Sequence, residues 1–162
     1  MYSYPAYFQK EGNTVVVTVP DLPEVITNGY SDEQAVEYAV DAVITVLGEY
    51  MRRKLPIPAP SKRRPSMRLV ALPATVQAKL TLYMALHDAG LRKAELARRL
   101  GWHKFQVERL LNLSHASQME QIEAAFKALG KSIEIRLRGA GSSRVAIDRA
   151  RGMAGDPINA AL

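Results

Sequence analysis

Lys93-Ala94-Glu95-Leu96-Ala97-Arg98-Arg99-Leu100-Gly101-Trp102-His103-Lys104-Phe105-Gln106-Val107-Glu108-Arg109-Leu110-Leu111-Asn112 reads as two short helices that meet at Gly101. Leu96, Ala97 and Leu100 share one face of the first helix, and Val107, Leu110 and Leu111 share one face of the second. Helices that cross this closely need a small residue at the contact, here Ala97. The turn needs a residue that tolerates positive φ, here Gly101. Counted from Lys93, the apolar slots of a helix-turn-helix fall on Leu96, Leu100, Trp102, Val107 and Leu110. Trp102 stands where Val or Ile is usual, which predicts a turn wider than average. An amphipathic hairpin with a merely solvated basic face would not require the small residue, the glycine and the apolar slots to coincide.

The outward positions follow from the same register. His103, Lys104, Phe105 and Gln106 open the second helix, with Arg109 about one turn further on. In the major groove such positions meet base edges, where Arg or Lys suits guanine and Gln suits adenine. Lys93, Arg98 and Arg99 lie on the preceding helix, which crosses the phosphate backbone in this geometry. These eight residues are the candidate DNA contacts. Glu108 falls off the contact line or reads a cytosine.

Charge is segregated along the chain. Residues 1–51 carry one basic residue, Lys10, against eight acidic ones, a net charge of −7. The remaining residues of the 162 must then sum to +13, because the whole chain is +6. Such polarity suits the C-terminal part to phosphate and the N-terminal part to a basic partner. The chain has no cysteine, which excludes disulfides, thiolate metal sites and cysteine nucleophiles. The start Met1-Tyr2-Ser3-Tyr4-Pro5 lacks a basic region followed by an apolar run, and no stretch approaches the length of apolar residues that spans a bilayer. A soluble cytoplasmic protein with no membrane contact is the expectation. His87, His103 and His115 have no metal-ligand spacing, and there is no P-loop or G-x-S-x-G. No metal, no cofactor and no enzymatic activity are expected.

In chain order, Tyr2 to Phe8 and Thr14 to Val19 read as a β-hairpin turning at Glu11-Gly12-Asn13. Val25 to Thr27 read as a short third strand before a turn at Asn28-Gly29. A helix then starts at Ser31, with Gln34 completing a capping box. Its apolar stripe runs from Ala35 to Met51 and should pack on the sheet. Leu55-Pro56-Ile57-Pro58-Ala59-Pro60 cannot continue that helix. Met67 to Leu72 reads as a strand returning to the sheet. A further helix begins at Pro73 and stops at Gly90, and another runs from Gln118 to Leu129. The fold class is therefore α+β: a small β-β-β-α-β domain over residues 1–72, including a Pro-rich link at 55–66, and an all-α helix-turn-helix domain over 73–138. Ser132 to Leu137 alternates as a terminal strand whose open edge invites a second chain, which makes Ile133, Ile135 and Leu137 the candidate dimer contacts. Residues 139–162 lack an apolar period and are expected to be disordered.

Two stretches carry a resemblance. The loop Val19-Pro20-Asp21-Leu22-Pro23-Glu24, the pair Asn28-Gly29 and the start Ser31-Asp32-Glu33-Gln34-Ala35 resemble the N-terminal domain of the HicB antitoxin family. Glu95 to Gly101, Arg109 to Leu113 and Lys127 to Lys131 resemble the helix-turn-helix of those members that bind DNA. The resemblance implies a truncated RNase H-like first domain without catalysis, which binds and blocks a small basic mRNA-cleaving toxin of the HicA type. The absence of a carboxylate from Tyr2 to Phe8 agrees. It also implies a second domain that binds the operator of its own operon, and a homodimer or homotetramer. Asp21, Leu22, Glu24, Glu33 and Glu37 are then the candidate toxin contacts. A free-standing transcription regulator with a ligand-binding first domain is the alternative. Lys93, Trp102 and Phe105 depart from the family pattern, so its operator sequence does not carry over.

Overall fold

A computed structural model describes residues 2–134. The expected disordered tail, and the positions 135–137 of the expected terminal strand, lie outside the described residues. β1 (Ser3–Glu11) and β2 (Thr14–Thr18) form an antiparallel hairpin with Tyr7 opposite Thr18 and Glu11 opposite Thr14. β3 (Ile26–Gly29) pairs antiparallel with β2. After α1 (Asp32–Arg52), β4 (Arg68–Ala71) returns antiparallel to β1, with Tyr4 opposite Val70. The sheet order is β3-β2-β1-β4.

Alternation along the strands sends Tyr4, Ala6, Val17 and Val70 to the side that α1 covers. They meet Ala35, Ala39, Val43 and Leu47, which repeat every fourth residue, and all eight are fully buried. Small residues in the first turns of α1 let it sit close to the sheet. A Cβ at Gly29 would lie 2.4 Å from the backbone nitrogen of Ala35, so that close approach requires glycine. Asn28-Gly29 is therefore the end of β3 and not the turn expected from the dipeptide, because the glycine answers a neighbouring helix and not a change of direction. The cap of α1 also departs from expectation in one detail. The Ser31 hydroxyl accepts the Gln34 N–H at 3.2 Å, but the Gln34 side chain reaches past Ser31 to accept the Tyr30 N–H at 2.7 Å.

The Pro-rich link is held against the sheet half. The Tyr4 hydroxyl donates to the Pro58 carbonyl at 2.8 Å, and the Ser61 N–H donates to Asp21 Oδ2 at 2.9 Å. Beyond β4 come α2 (Ala74–Asp88), α3 (Lys93–Leu100), α4 (Lys104–Leu111) and α5 (Met119–Ala128). Leu80, Leu82, Leu96, Val107, Leu110, Ile122 and Phe126 form their core, which is continuous with that under the sheet. Tyr2 bridges the halves: its N–H donates to Gln77 Oε1 at 3.1 Å and its hydroxyl meets the Met84 sulfur. The α+β class and the order of elements agree with the sequence reading. Among the described residues Ser132 to Glu134 lie in no strand, and Ile133 packs half-buried on the helical core.

Candidate functional site

α3 closes in a Schellman arrangement. Gly101 has φ 65°, its N–H donates to the Arg98 carbonyl at 3.2 Å, and the Trp102 N–H reaches back to the Ala97 carbonyl at 2.9 Å. The turn is three residues, Gly101-Trp102-His103, so the wider turn expected from Trp102 does not form. The indole is accommodated because the position after such a glycine packs back on the helix it ends, and Trp102 is half-buried against the core there. Leu96, Ala97, Val107 and Leu110 are buried, as the slot pattern requires, with Leu100 half-buried beside them.

All eight outward candidates, Lys93, Arg98, Arg99, His103, Lys104, Phe105, Gln106 and Arg109, are exposed. Their engagement differs. Glu95 bonds Arg98 and stands 3.5 Å from Arg99, while Lys104 stands 3.5 Å from Glu108. Exposed pairs of this kind contribute little and open readily. The Arg98 side chain, 78% exposed, is thereby available to a phosphate, whereas Arg99 also donates to the Ala128 carbonyl at 3.3 Å and ties α3 to α5. Gln106 is engaged too. Its Oε1 accepts the His103 N–H at 2.8 Å and so caps the start of α4. Bidentate reading of adenine needs both ends of the amide, and here one end is occupied. The His103 ring stacks on Phe105 with centroids 5.7 Å apart, presenting an aromatic surface at the entry of α4.

The five acidic-half candidates separate into two groups. Leu22 is fully buried, a correction to its reading as a contact: it fills the core beneath the loop. Asp21 holds Ser61 of the link, and Glu24 accepts the Tyr50 hydroxyl at 3.0 Å, which keeps the loop against α1. Glu33 and Glu37 are exposed, and Asp41 extends the row at the same four-residue spacing. Tyr38 and Tyr30, 43% and 80% exposed, stand beside this row, Tyr38 accepting from the Gln34 amide at 3.2 Å. Asp41, Tyr30 and Tyr38 are not candidates of the sequence reading, although the helical repeat from Glu33 signals Asp41 and Tyr38 stands one helical turn after Gln34.

Residues 2–81 match the family model described as the HicB-like antitoxin of bacterial toxin-antitoxin systems. Antitoxin HicB 2 of Photorhabdus laumondii is 34% identical over 132 residues, covering 82% of this chain and 94% of the relative. The chain belongs to the HicB antitoxin family. Antitoxin HicB of Pseudomonas fluorescens is 34% identical over 141 residues, 86% of this chain and 97% of its own length. Antitoxin HicB of Escherichia coli is 34% identical over 120 residues, 74% and 87% of the two chains. As a HicB antitoxin the protein is one half of a toxin-antitoxin pair, so a toxin is its partner. Among the described residues no helix is long and apolar enough to cross a membrane.

Proposed function

We propose that this HicB antitoxin neutralises a small basic, mRNA-cleaving toxin of the HicA type through its acidic half and represses its own operon through α3 and α4. The observation that carries the reading is the arrangement of that helix pair: the apolar slots are buried, the turn closes on Gly101, and a basic set of side chains faces solvent. An outward basic face on a short helix is the form that enters a major groove. The acidic row Glu33, Glu37 and Asp41, flanked by Tyr30 and Tyr38, is the matching feature of the other half. It offers negative charge with aromatic anchors, the composition that suits a cationic protein surface. In this reading the protein acts by binding and not by catalysis, and it does so as a homo-oligomer.

Two measurements test the reading. The full chain should bind a duplex from the promoter of its own operon more tightly than a random duplex. Arg98→Ala should reduce the slope of log affinity against log salt by about 0.9, the contribution of one neutralised phosphate. A small basic protein encoded beside it should co-purify with the chain and lose its RNase activity in the complex. A parent protein that does not distinguish the two duplexes removes the repressor role, and a neighbour that stays active in its presence removes the neutralising one.

A further inference from the structure

Lys79 lies on α2 where the other inward residues, Val76, Leu80, Leu82, Ala85 and Leu86, are apolar, and it is 1% exposed. Among the described residues it is the charged side chain inside the core. A buried ammonium is costly unless acceptors replace the water it loses. Two backbone carbonyls do so here: Nζ donates to Asn112 at 2.7 Å and to His115. Asn112 is the C-terminal cap of α4, and its carbonyl also accepts the His115 N–H at 3.2 Å. Its side-chain oxygen accepts the Ser114 N–H at 3.0 Å, so the whole turn leaving α4 is gathered around the ammonium. The cation therefore faces the negative end of the α4 dipole.

α4 has eight residues and ends on Asn112 in extended geometry, without the glycine closure that ends α3. Two turns of helix have little stiffness of their own, and their direction is set by what grips them. The start is gripped by the Gln106 cap, the middle by Val107, Leu110 and Leu111 in the core, and the end by Lys79. We propose that Lys79 is a positioning residue that fixes the direction of α4, and with it the aim of the outward side chains, by holding from α2 the carbonyl of its C-terminal cap, Asn112, and that of His115 in the turn that leaves it. The step from direction to DNA rests on the proposed repressor function; the step from Lys79 to direction does not.

The alternative is a purely stabilising role, and the energetics point the other way. Burial pushes the Lys79 ammonium below the ordinary lysine range. The unfolded chain then holds its proton to higher pH than the folded one, so this group's contribution to stability rises as pH climbs from the lowered value to the ordinary one. An apolar side chain of the same length should leave stability unchanged or higher while it releases α4, the pattern seen when buried charges are replaced by well-packed apolar groups.

The chain has no cysteine, so Lys79→Cys in the 162-residue chain creates a single alkylation site. Alkylated in denaturant and refolded, it yields two proteins that differ in one group: S-aminoethyl restores an ammonium at lysine length, and S-propyl puts a methyl in its place. Lys79→Met, one atom shorter than lysine, removes the ammonium without chemical modification. The propyl and Met forms should keep the parental melting temperature, while amides from Leu110 to His115 exchange about tenfold faster through local opening. Affinity for the promoter duplex should fall about tenfold, the worth of roughly one base contact, and the aminoethyl form should restore both. Unchanged exchange in the propyl and Met forms overturns the proposal. So does a loss of melting temperature that accounts for the faster exchange, which assigns Lys79 to stability alone. If the parent itself fails to prefer the promoter duplex, the repressor reading falls, and the exchange comparison still decides the role of Lys79.

Discussion

α1 and α4 both present candidate contact residues, and they are held in opposite ways. α1 runs 21 residues across a four-stranded sheet with a fourfold-spaced stripe of fully buried side chains beneath it. Its outward row of Glu33, Glu37 and Asp41 hangs on a scaffold that no single surface side chain controls. α4 runs eight residues, and its two ends depend on the side chains of Gln106 and Lys79. A broad, rigid face tolerates change on its surface, whereas a short helix aimed by a few bonds does not. The first arrangement suits binding a protein over an extended area, and the second suits a register that must be right to a fraction of a turn.

The weak point of α1 is beneath it and not on it. Gly29→Ala sets a Cβ 2.4 Å from the Ala35 backbone, where no side chain can move aside, and should cost about 3 kcal/mol, at the upper end for overpacking. Chemical denaturation should show the fall in midpoint, and hydrogen exchange should place it first in β3 and the start of α1. A parental midpoint would mean that the helix does not sit on the strand as described, and the contrast between the two helices would lose its basis.

Reversing the acidic row tests the surface itself. Glu33→Lys with Glu37→Lys should weaken toxin binding by about 2 kcal/mol, since like charge then faces a cationic partner. Both carboxylates are exposed, so the melting temperature and the affinity for the promoter duplex should stay within error. Calorimetric titration with the purified toxin measures the first quantity. Parental toxin affinity in the double variant would move the interface elsewhere, and the open side of the sheet, where Ile26 and Leu69 are 70% and 52% exposed, would be the next place to look.

The smallest effect is expected at Gln106, where it is also the most diagnostic. Loss of the cap in Gln106→Ala should cost about 1 kcal/mol of stability and lower affinity for promoter and random duplexes alike. Gln106→Glu keeps the acceptor and should keep the stability. If Gln106→Ala instead leaves stability intact and relaxes preference at one base pair, the amide leaves its cap on DNA and reads adenine.

Local pattern in the sequence was enough to determine several things about this protein. The opposed charges of its two halves, the hairpin around Gly12, the Ser31 cap, the stop of the long helix before the prolines and the paired slots around Gly101 each depend on residues close together in the chain. Composition, helical spacing and turn chemistry report such features directly. Only the tertiary structure decided which polar residues are already committed. Asp21 and Glu24 read as free acids, but the link and Tyr50 approach them from 40 and 26 residues away. Gly29 reads as a turn until α1 is laid on it, and Lys79 interrupts an apolar face for no local reason, since its acceptors lie 33 and 36 residues on. A side chain's chemistry is written at its own position, but whether that chemistry is free depends on which distant backbone arrives beside it, and packing alone brings the two together.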